Sequence, residues 1–402
     1  VTITGSESTT TNTAIGNSAR VARQYGPYVQ ADWGFANHWY PACFSDEVEV
    51  NGVVGVTIGG HDIAITRDED GQVHAIADRC LHRGVKLSAK PMCFANKTVT
   101  CWYHGYTYNA ESGNLDTIVG SPDDKLIGTV GVRTYPSEDL AGLIFVFVGE
   151  EDYTPPPLDS DLPMLVTDKK TPHFRNPNII TKGMRRKLYG NWRLAAENGL
   201  DPGHLLVHWD NKIVVALDRA MPLGMKALKD DATESIDIED GPKGVMNRYD
   251  LPENYQPVFE NPMVDIKARG GTMYEPFRVS CWLPATLMVE NWPIPGITQY
   301  EFYVPIDDHH HMYFEVIADT ATTEAERKEF DFKYENFYKP LGLLDFNNND
   351  VFAREATEEH YQRFDGWNNE VLSDMDYSVV AWRKQAATHG RGFFQSPYLD
   401  ED

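Results

Sequence analysis

The chain has 402 residues, enough for two domains with sizeable cores, and 42% of them are apolar and 12% aromatic. Its formal charge of −24 argues against nucleic acid or an anionic membrane as partner, and no run of about 18 apolar residues offers a membrane-spanning helix. Five cysteines, an odd number, with no basic-then-apolar start typical of a signal peptide, point to a reducing, cytoplasmic setting rather than a disulfide framework.

Residues 1–24 are poor in large apolar groups and read as a tail with a short helix near Ala19–Gln24. Residues 25–153 carry β signals. Val53–Ile58, Ile63–Thr66, Val73–Ile76, Thr98–Cys101 and Leu143–Val148 are short β-branched or aromatic runs, punctuated by Gly59-Gly60, Asp70-Gly71 and Ser112-Gly113. No helical crossover pattern separates them, so a small all-β domain without a parallel sheet is expected. Thr154-Pro155-Pro156-Pro157-Leu158 marks the boundary, because consecutive prolines continue neither a helix nor a central strand. Residues 154–402 read as a mixed domain, which makes the chain α+β. A helix is expected over Asn191–Glu197 and a second one directly after it. Strands follow at Arg278–Trp282, Leu287–Asn291, Gln299–Val304 and Met312–Ile317, and helices at Thr323–Leu343 and Asn348–Phe364.

Two clusters carry chemistry. In the stretch Glu197–His208, Asp201 suits a helix cap and Pro202 a first helical turn. His204 and His208 then fall on one helix face, where with one carboxylate they would form the facial triad that suits Fe(II) oxygenases. The plainer alternative is two histidines that merely share a face. The second cluster is Cys80-Leu81-His82 with Cys101-Trp102-Tyr103-His104. Zinc modules usually pair Cys with Cys and His with His. Here each half supplies one of each, as a Rieske [2Fe–2S] centre requires. Gly84 and Gly105 follow the two halves and let loop backbone come close to the sulfurs. Cys43, Cys93 and Cys281 have no such neighbours and read as buried thiols. No G-x-G-x-x-G turn is present, so electrons from a nicotinamide would have to arrive through a separate reductase and a small carrier.

The two Cys/His halves, followed by Asn198-x-x-Asp201-x-x-His204-x-x-x-His208, resemble the Rieske non-haem iron oxygenases in their terminal oxygenase (α) component. Asn37-His38-Trp39-Tyr40-Pro41, Arg79–Val85, Asn191–Ala195 and Phe346-Asn347-Asn348 are most similar to members acting on carbazole. The resemblance implies an all-β Rieske domain followed by a helix-grip (START-like) catalytic domain with an antiparallel sheet. It implies a mononuclear Fe(II) held by His204, His208 and Asp350, with Asp345 as a nearby competitor for the third place. It gives Asp201 a bridging role, from its own iron site to a Rieske histidine of a neighbouring subunit in a homotrimer, His104 rather than His82. It implies a ferredoxin partner, reduced by an NAD(P)H-dependent reductase and docking near His82, Arg83 and His104. The implied reaction adds both atoms of O2 to a polycyclic (hetero)aromatic, by angular attack on carbazole. The alternatives are a Rieske monooxygenase or demethylase of another heteroaromatic, and an electron carrier without oxygenase activity. By the same likeness Leu205, Leu223, Leu287, Val289, Trp292, Gln299, Phe346 and Asn347 are wall candidates, and the Gly199 carbonyl is an acceptor for the carbazole N–H. Trp292 is bulky where the family commonly has a smaller aromatic.

Overall fold

The computed structural model describes residues 25–164, 173–208, 211–213, 233–248 and 278–397. The expected helix Ala19–Gln24 and the wall candidate Leu223 lie outside these. Among the described residues no helix is long and apolar enough to cross a membrane.

A helix, α1, covers residues 25–30. Ten strands follow: β1 (His38–Phe44), β2 (Val53–Ile58), β3 (His61–Arg67), β4 (Val73–Ala77), β5 (Thr98–Thr100), β6 (Tyr106–Asn109), β7 (Leu115–Ile118), β8 (Thr134–Tyr135), β9 (Ser137–Leu140) and β10 (Leu143–Val148). They form three antiparallel sheets, ordered β1-β10-β9, β2-β3-β4-β8 and β5-β6-β7. Gly59 and Gly60 join β2 to β3 with φ of 53° and 79°, the conformation a two-residue hairpin turn requires at both positions. Strand β10, Leu-Ile-Phe-Val-Phe-Val, is buried on both faces, as its unbroken apolar run suggests.

Beyond the prolines lies a seven-stranded antiparallel sheet ordered β11-β17-β16-β15-β14-β13-β12. Its strands are β11 (Ile179–Tyr189), β12 (Thr233–Asp237), β13 (Lys243–Arg248), β14 (Arg278–Trp282), β15 (Thr286–Glu290), β16 (Thr298–Pro305) and β17 (His310–Thr320). Alternation gives it two working faces. Tyr300, Phe302 and Val304 of β16 point one way and join Phe145 and Val146 of β10 in one core. Gln299, Glu301 and Tyr303 point the other way. On that side lie α2 (Trp192–Leu200), α4 (Asn347–Phe364) and α5 (Tyr377–His389), whose Trp192 and Trp382 pack with Leu287, Val289 and Tyr303. Both faces are covered, so β16 is buried along its whole length.

Two expectations need correction. His204 and His208 do not lie on an α-helix. Residues Gly203–His208 form a 3-10 helix, and Asp201 closes α2, with its N–H bonded to the carbonyls of Glu197 and Asn198. The cause is the short span between Leu200 and Pro202, where proline has no N–H to continue the ladder of α2. The helix expected over Thr323–Leu343 is α only in α3 (Glu324–Lys333). Tyr334–Phe346 then runs as a π-helix around Pro340. Proline again removes a donor, and the wider winding accommodates it.

Candidate active site

The two Cys/His loops are built alike. Cys80 opens the turn after β4, its N–H donates to the Val85 carbonyl at 2.9 Å, and the Gly84 N–H donates to the Cys80 carbonyl at 2.8 Å. Cys101, after β5, repeats this with Tyr106 at 2.7 Å and Gly105 at 2.9 Å. Both glycines have positive φ, 71° and 73°, which favours glycine at these two positions. The loops bring four side chains together. Cys80 and Cys101 are buried, and each is 1% exposed. Burial raises the Cys101 thiol, and a contact with Cys80 adds to the shift. His82 and His104 lie on the exposed side with ring centroids 4.5 Å apart. Partial desolvation and the nearby His82 and Arg83 lower His104. Two buried thiols and two exposed imidazoles are the donor set a Rieske cluster takes. Of the other cysteines, Cys43 and Cys281 are buried and Cys93 is partly exposed.

His204, His208 and Asp350 converge from two elements. One ligand atom of each lies within 4.8 Å of the others, at the foot of α4 and the end of the 3-10 helix. Each imidazole is fixed through Nδ1. His204 donates to the Asp201 carbonyl, and His208 donates to Asn211 Oδ1 at 2.8 Å. Asn349 steadies that acceptor by donating to it at 3.2 Å. Both Nε2 atoms are thereby left to face Asp350 Oδ1, at 3.6 Å and 3.2 Å. Burial would raise Asp350, but His208 and His204 outweigh it and hold the carboxyl well below the usual carboxylate range. Burial lowers His204. Phe346 stacks flat on His208, with centroids 3.6 Å apart and planes 7° apart. Asp345, the competitor, instead accepts from the Lys212 N–H at 3.1 Å and pairs with its Nζ at 3.2 Å. Two imidazole Nε2 atoms beside one carboxylate suit a ferrous ion.

A cavity opens beside this triad. Gly199, Leu205, Leu287, Val289, Trp292, Gln299 and Phe346 line it, as do His204 and Asp350. Register explains the far wall. Val279, Val289 and Gln299 form one cross-strand row, and Cys281, Leu287 and Glu301 form the next. Asn347, expected in the wall, sits behind it. Its Nδ2 donates to Glu315 Oε1 at 3.0 Å and to Tyr313 Oη at 3.2 Å. Sequence reasoning missed three lining residues, Val279, Glu301 and Arg354. The signal was present. Glu301 lies two residues from Gln299 on a strand, and Arg354 one helical turn beyond Asp350.

Asp201 is partly buried, and burial raises its carboxyl. Its Oδ1 accepts from the Gly203 N–H at 2.7 Å. Among the described residues, no hydrogen bond joins it to His82 or His104 of the same chain.

Residues 38–136 match the Rieske [2Fe-2S] domain, and residues 147–394 match the homotrimeric ring hydroxylases. The chain belongs to the Rieske ring hydroxylases. It is 38% identical to the terminal oxygenase component of carbazole 1,9a-dioxygenase from Metapseudomonas resinovorans, over 92% of this chain and 94% of that one. Among solved structures, a component of 2-oxoquinoline 8-monooxygenase superposes with a TM-score of 0.85 at 44% identity, covering 94% of this chain and 91% of that one. The reduced complex between oxygenase and ferredoxin in carbazole 1,9a-dioxygenase gives 0.80 at 35% identity, covering 96% and 97%. A Rieske ring hydroxylase uses a [2Fe–2S] cluster and a mononuclear iron. The two donor sets described above match that requirement in type and number.

Proposed function

We propose that this chain is the terminal oxygenase of a multicomponent system that oxygenates a flat nitrogen heteroaromatic, carbazole in the first instance. The observation that carries this reading is the convergence of His204, His208 and Asp350 on a cavity walled by Leu205, Val279, Leu287, Val289, Trp292 and Phe346. In this reading Cys80, His82, Cys101 and His104 hold the cluster, and His204, His208 and Asp350 hold the ferrous ion. Bound there, these groups supply single electrons and the binding and reduction of dioxygen. The protein's part is placement. Nδ1 bonds to Asp201 and Asn211 aim both imidazoles and leave each Nε2 toward the iron site. Phe346 and Trp292, with ring centroids 4.7 Å apart, form an aromatic corner that keeps water from the reacting ring. The carboxylate of Asp201 reaches a Rieske histidine of a neighbouring subunit, His104 by preference. A reduced ferredoxin docks at the exposed edge formed by His82, Arg83 and His104, and a separate NAD(P)H-dependent reductase reduces it. Five cysteines without a disulfide among them and this dependence on ferredoxin fit a cytoplasmic setting.

Carbazole supplied with 18O2, NADH and a matched ferredoxin and reductase gives an aminobiphenyl diol carrying two labelled oxygens. The 44% identity to the 2-oxoquinoline 8-monooxygenase component favours a second reading, monooxygenation of a lactam. One labelled oxygen in a ring-hydroxylated product would establish it. Electron uptake with no oxygenated product from either substrate would overturn both.

A further inference from the structure

We propose that Arg354 is a positioning residue of the iron site: by holding Asn198 it ties the helix that carries Asp350 to the end of α2, from which His204 is aimed, and so keeps the ligands at binding distance. The inference rests on His204, His208 and Asp350 being the ferrous site.

Asp350 and Arg354 lie four residues apart on α4 and so share one face of it. Asp350 meets the imidazoles, and Arg354 meets α2. Its Nε donates to Asn198 Oδ1 at 2.7 Å. Asn198 stands in the last turn of α2, where its carbonyl accepts from the Asp201 N–H at 3.3 Å. The Asp201 carbonyl accepts in turn from His204 Nδ1, and His204 Nε2 comes back to Asp350 Oδ1 at 3.6 Å. The links close a ring through Arg354, Asn198, Asp201, His204 and Asp350. Each link is a helical turn or a polar contact, so a shift where Arg354 holds Asn198 reaches the gap between His204 and Asp350. Asn198 opens the run Asn198-x-x-Asp201-x-x-His204, and this bond gives it a role that neither metal ligation nor the turn after α2 accounts for.

The far end of Arg354 is anchored on the large sheet. Nη2 donates to Tyr303 Oη at 3.4 Å, and the guanidinium carbon stands 5.0 Å and 4.9 Å from the ring centroids of Tyr303 and Tyr313. Both rings are fully buried on the interior strands β16 and β17. The start of α2 has its own tie to α4, from the Asn191 N–H to Glu358 Oε2 at 2.8 Å. Further along, Arg383 of α5 takes both oxygens of Glu197, at 2.8 Å and 2.7 Å. Arg354 supplies the tie to α4 at the end of α2 where the ligands lie. It is 2% exposed. A guanidinium is always charged and costly to take out of water, and a packed apolar side chain often serves stability as well. Its place one turn from an iron ligand relates that cost to the site.

The test is a double-mutant cycle read on metal binding rather than on turnover. The dissociation constant of Fe(II) is measured under argon, by competition with a chelator, on full-length protein whose cluster is intact by its visible spectrum. Asn198→Leu weakens Fe(II) binding by about tenfold, and Arg354→Met weakens it at least as much. The double variant binds Fe(II) no more weakly than Arg354→Met alone, because both changes cut the same link. If Arg354→Met does not fold, Arg354→Lys takes its place in the cycle. A lysine keeps the charge, but its single ammonium cannot hold Asn198 and the sheet together as the guanidinium fork does. Losses that multiply in the double variant would overturn the inference, since the two residues would then act separately. So would a lowered thermal midpoint of the protein without its mononuclear iron, if the Fe(II) constant stayed as in the wild type, for that is the mark of packing alone. Both results leave the ferrous site standing. Failure of the wild-type protein to bind Fe(II) would overturn the reading of that site as well.

Discussion

His208 shows how much of this site rests on single atoms. One nitrogen is committed to Asn211, one ring face is covered by Phe346, and the other nitrogen is left toward Asp350. Asp350→Ala removes one of three donors and leaves the Rieske loops untouched. The purified variant then carries about two irons per chain instead of about three, with the cluster's visible spectrum unchanged. Loss of the spectrum together with the iron would show that the two sites are not separate. A second residue touches a cysteine proposed to hold the cluster. Tyr108 Oη lies 3.3 Å from Cys80 Sγ and accepts from the Leu81 N–H at 3.0 Å, so its own hydrogen is directed to the sulfur. A donor to sulfur stabilises the more negative, reduced cluster. Tyr108→Phe removes a bond worth about 1 kcal/mol and lowers the potential by about 40 mV in a redox titration. An unchanged or raised potential would count against that bond.

Elements were legible where local pattern and tertiary role agreed. Strands β14 to β17 were placed within a few residues, since apolar and β-branched residues recur along them. Strand β11 was not seen. Its Ile-Ile-Thr-Lys-Gly-Met-Arg-Arg-Lys-Leu-Tyr reads as a basic surface segment, yet it forms the edge of the large sheet. Its charges find partners across space, Arg185 with Glu47 and Arg186 with Glu315. No local pattern encodes those partners. The Cys and His spacings were legible for the opposite reason, because ligand chemistry restricts them more than folding does. The 3-10 winding of Gly203–His208 was hidden behind an H-x-x-x-H spacing that an α-helix would also satisfy. At three residues per turn the two imidazoles stand about 120° apart instead of in one row. They approach Asp350 from different sides, with their planes at 88°. Helix α3 carries a prediction of its own. Thr323 accepts from the Glu326 N–H at 3.2 Å, and Glu326 accepts in return from the N–H groups of Thr322 and Thr323 at 2.7 Å and 2.9 Å. These bonds push the Glu326 carboxyl down to about 2. A depressed carboxyl stabilises the fold above its unfolded value of about 4.3 and loses that effect as pH falls toward 2. Hydrogen-exchange protection at the start of α3 therefore declines between about pH 5 and pH 2, and Glu326→Gln removes the decline. Thr323→Ala lowers the protection at neutral pH by about 1 kcal/mol.

At the scale of the molecule, the two redox sites belong to different cores. Cys80, Cys101 and Tyr108 pack with Val99 and Leu115, whereas Leu205, Phe346 and Trp292 pack against the far face of the large sheet. The imidazoles of His82 and His104 are exposed, and Asp201 makes no hydrogen bond to them within its own chain among the described residues. A family of homotrimers resolves this separation if each Rieske edge meets the next subunit's Asp201. The particle then has three times the 45.5 kDa chain mass. Mixed trimers test the direction of transfer. Cys101→Ser chains lack the cluster and His208→Ala chains lack the ferrous site, so each is inactive as a homotrimer. Co-assembled, a His208→Ala subunit supplies its cluster to the intact iron site of a Cys101→Ser neighbour, and carbazole oxidation returns at a fraction of the wild-type rate. Transfer confined to one chain would leave every mixture inactive, because no chain then holds both sites. Asp201→Asn introduced into the Cys101→Ser partner sharpens the result. That partner provides the only working iron site, so its own carboxylate stands in the active route, and the recovered activity falls. The same change in the His208→Ala partner touches only a carboxylate beside a site without iron and leaves the recovered activity as it was. Equal loss from either placement would mean that Asp201 supports assembly rather than the electron path.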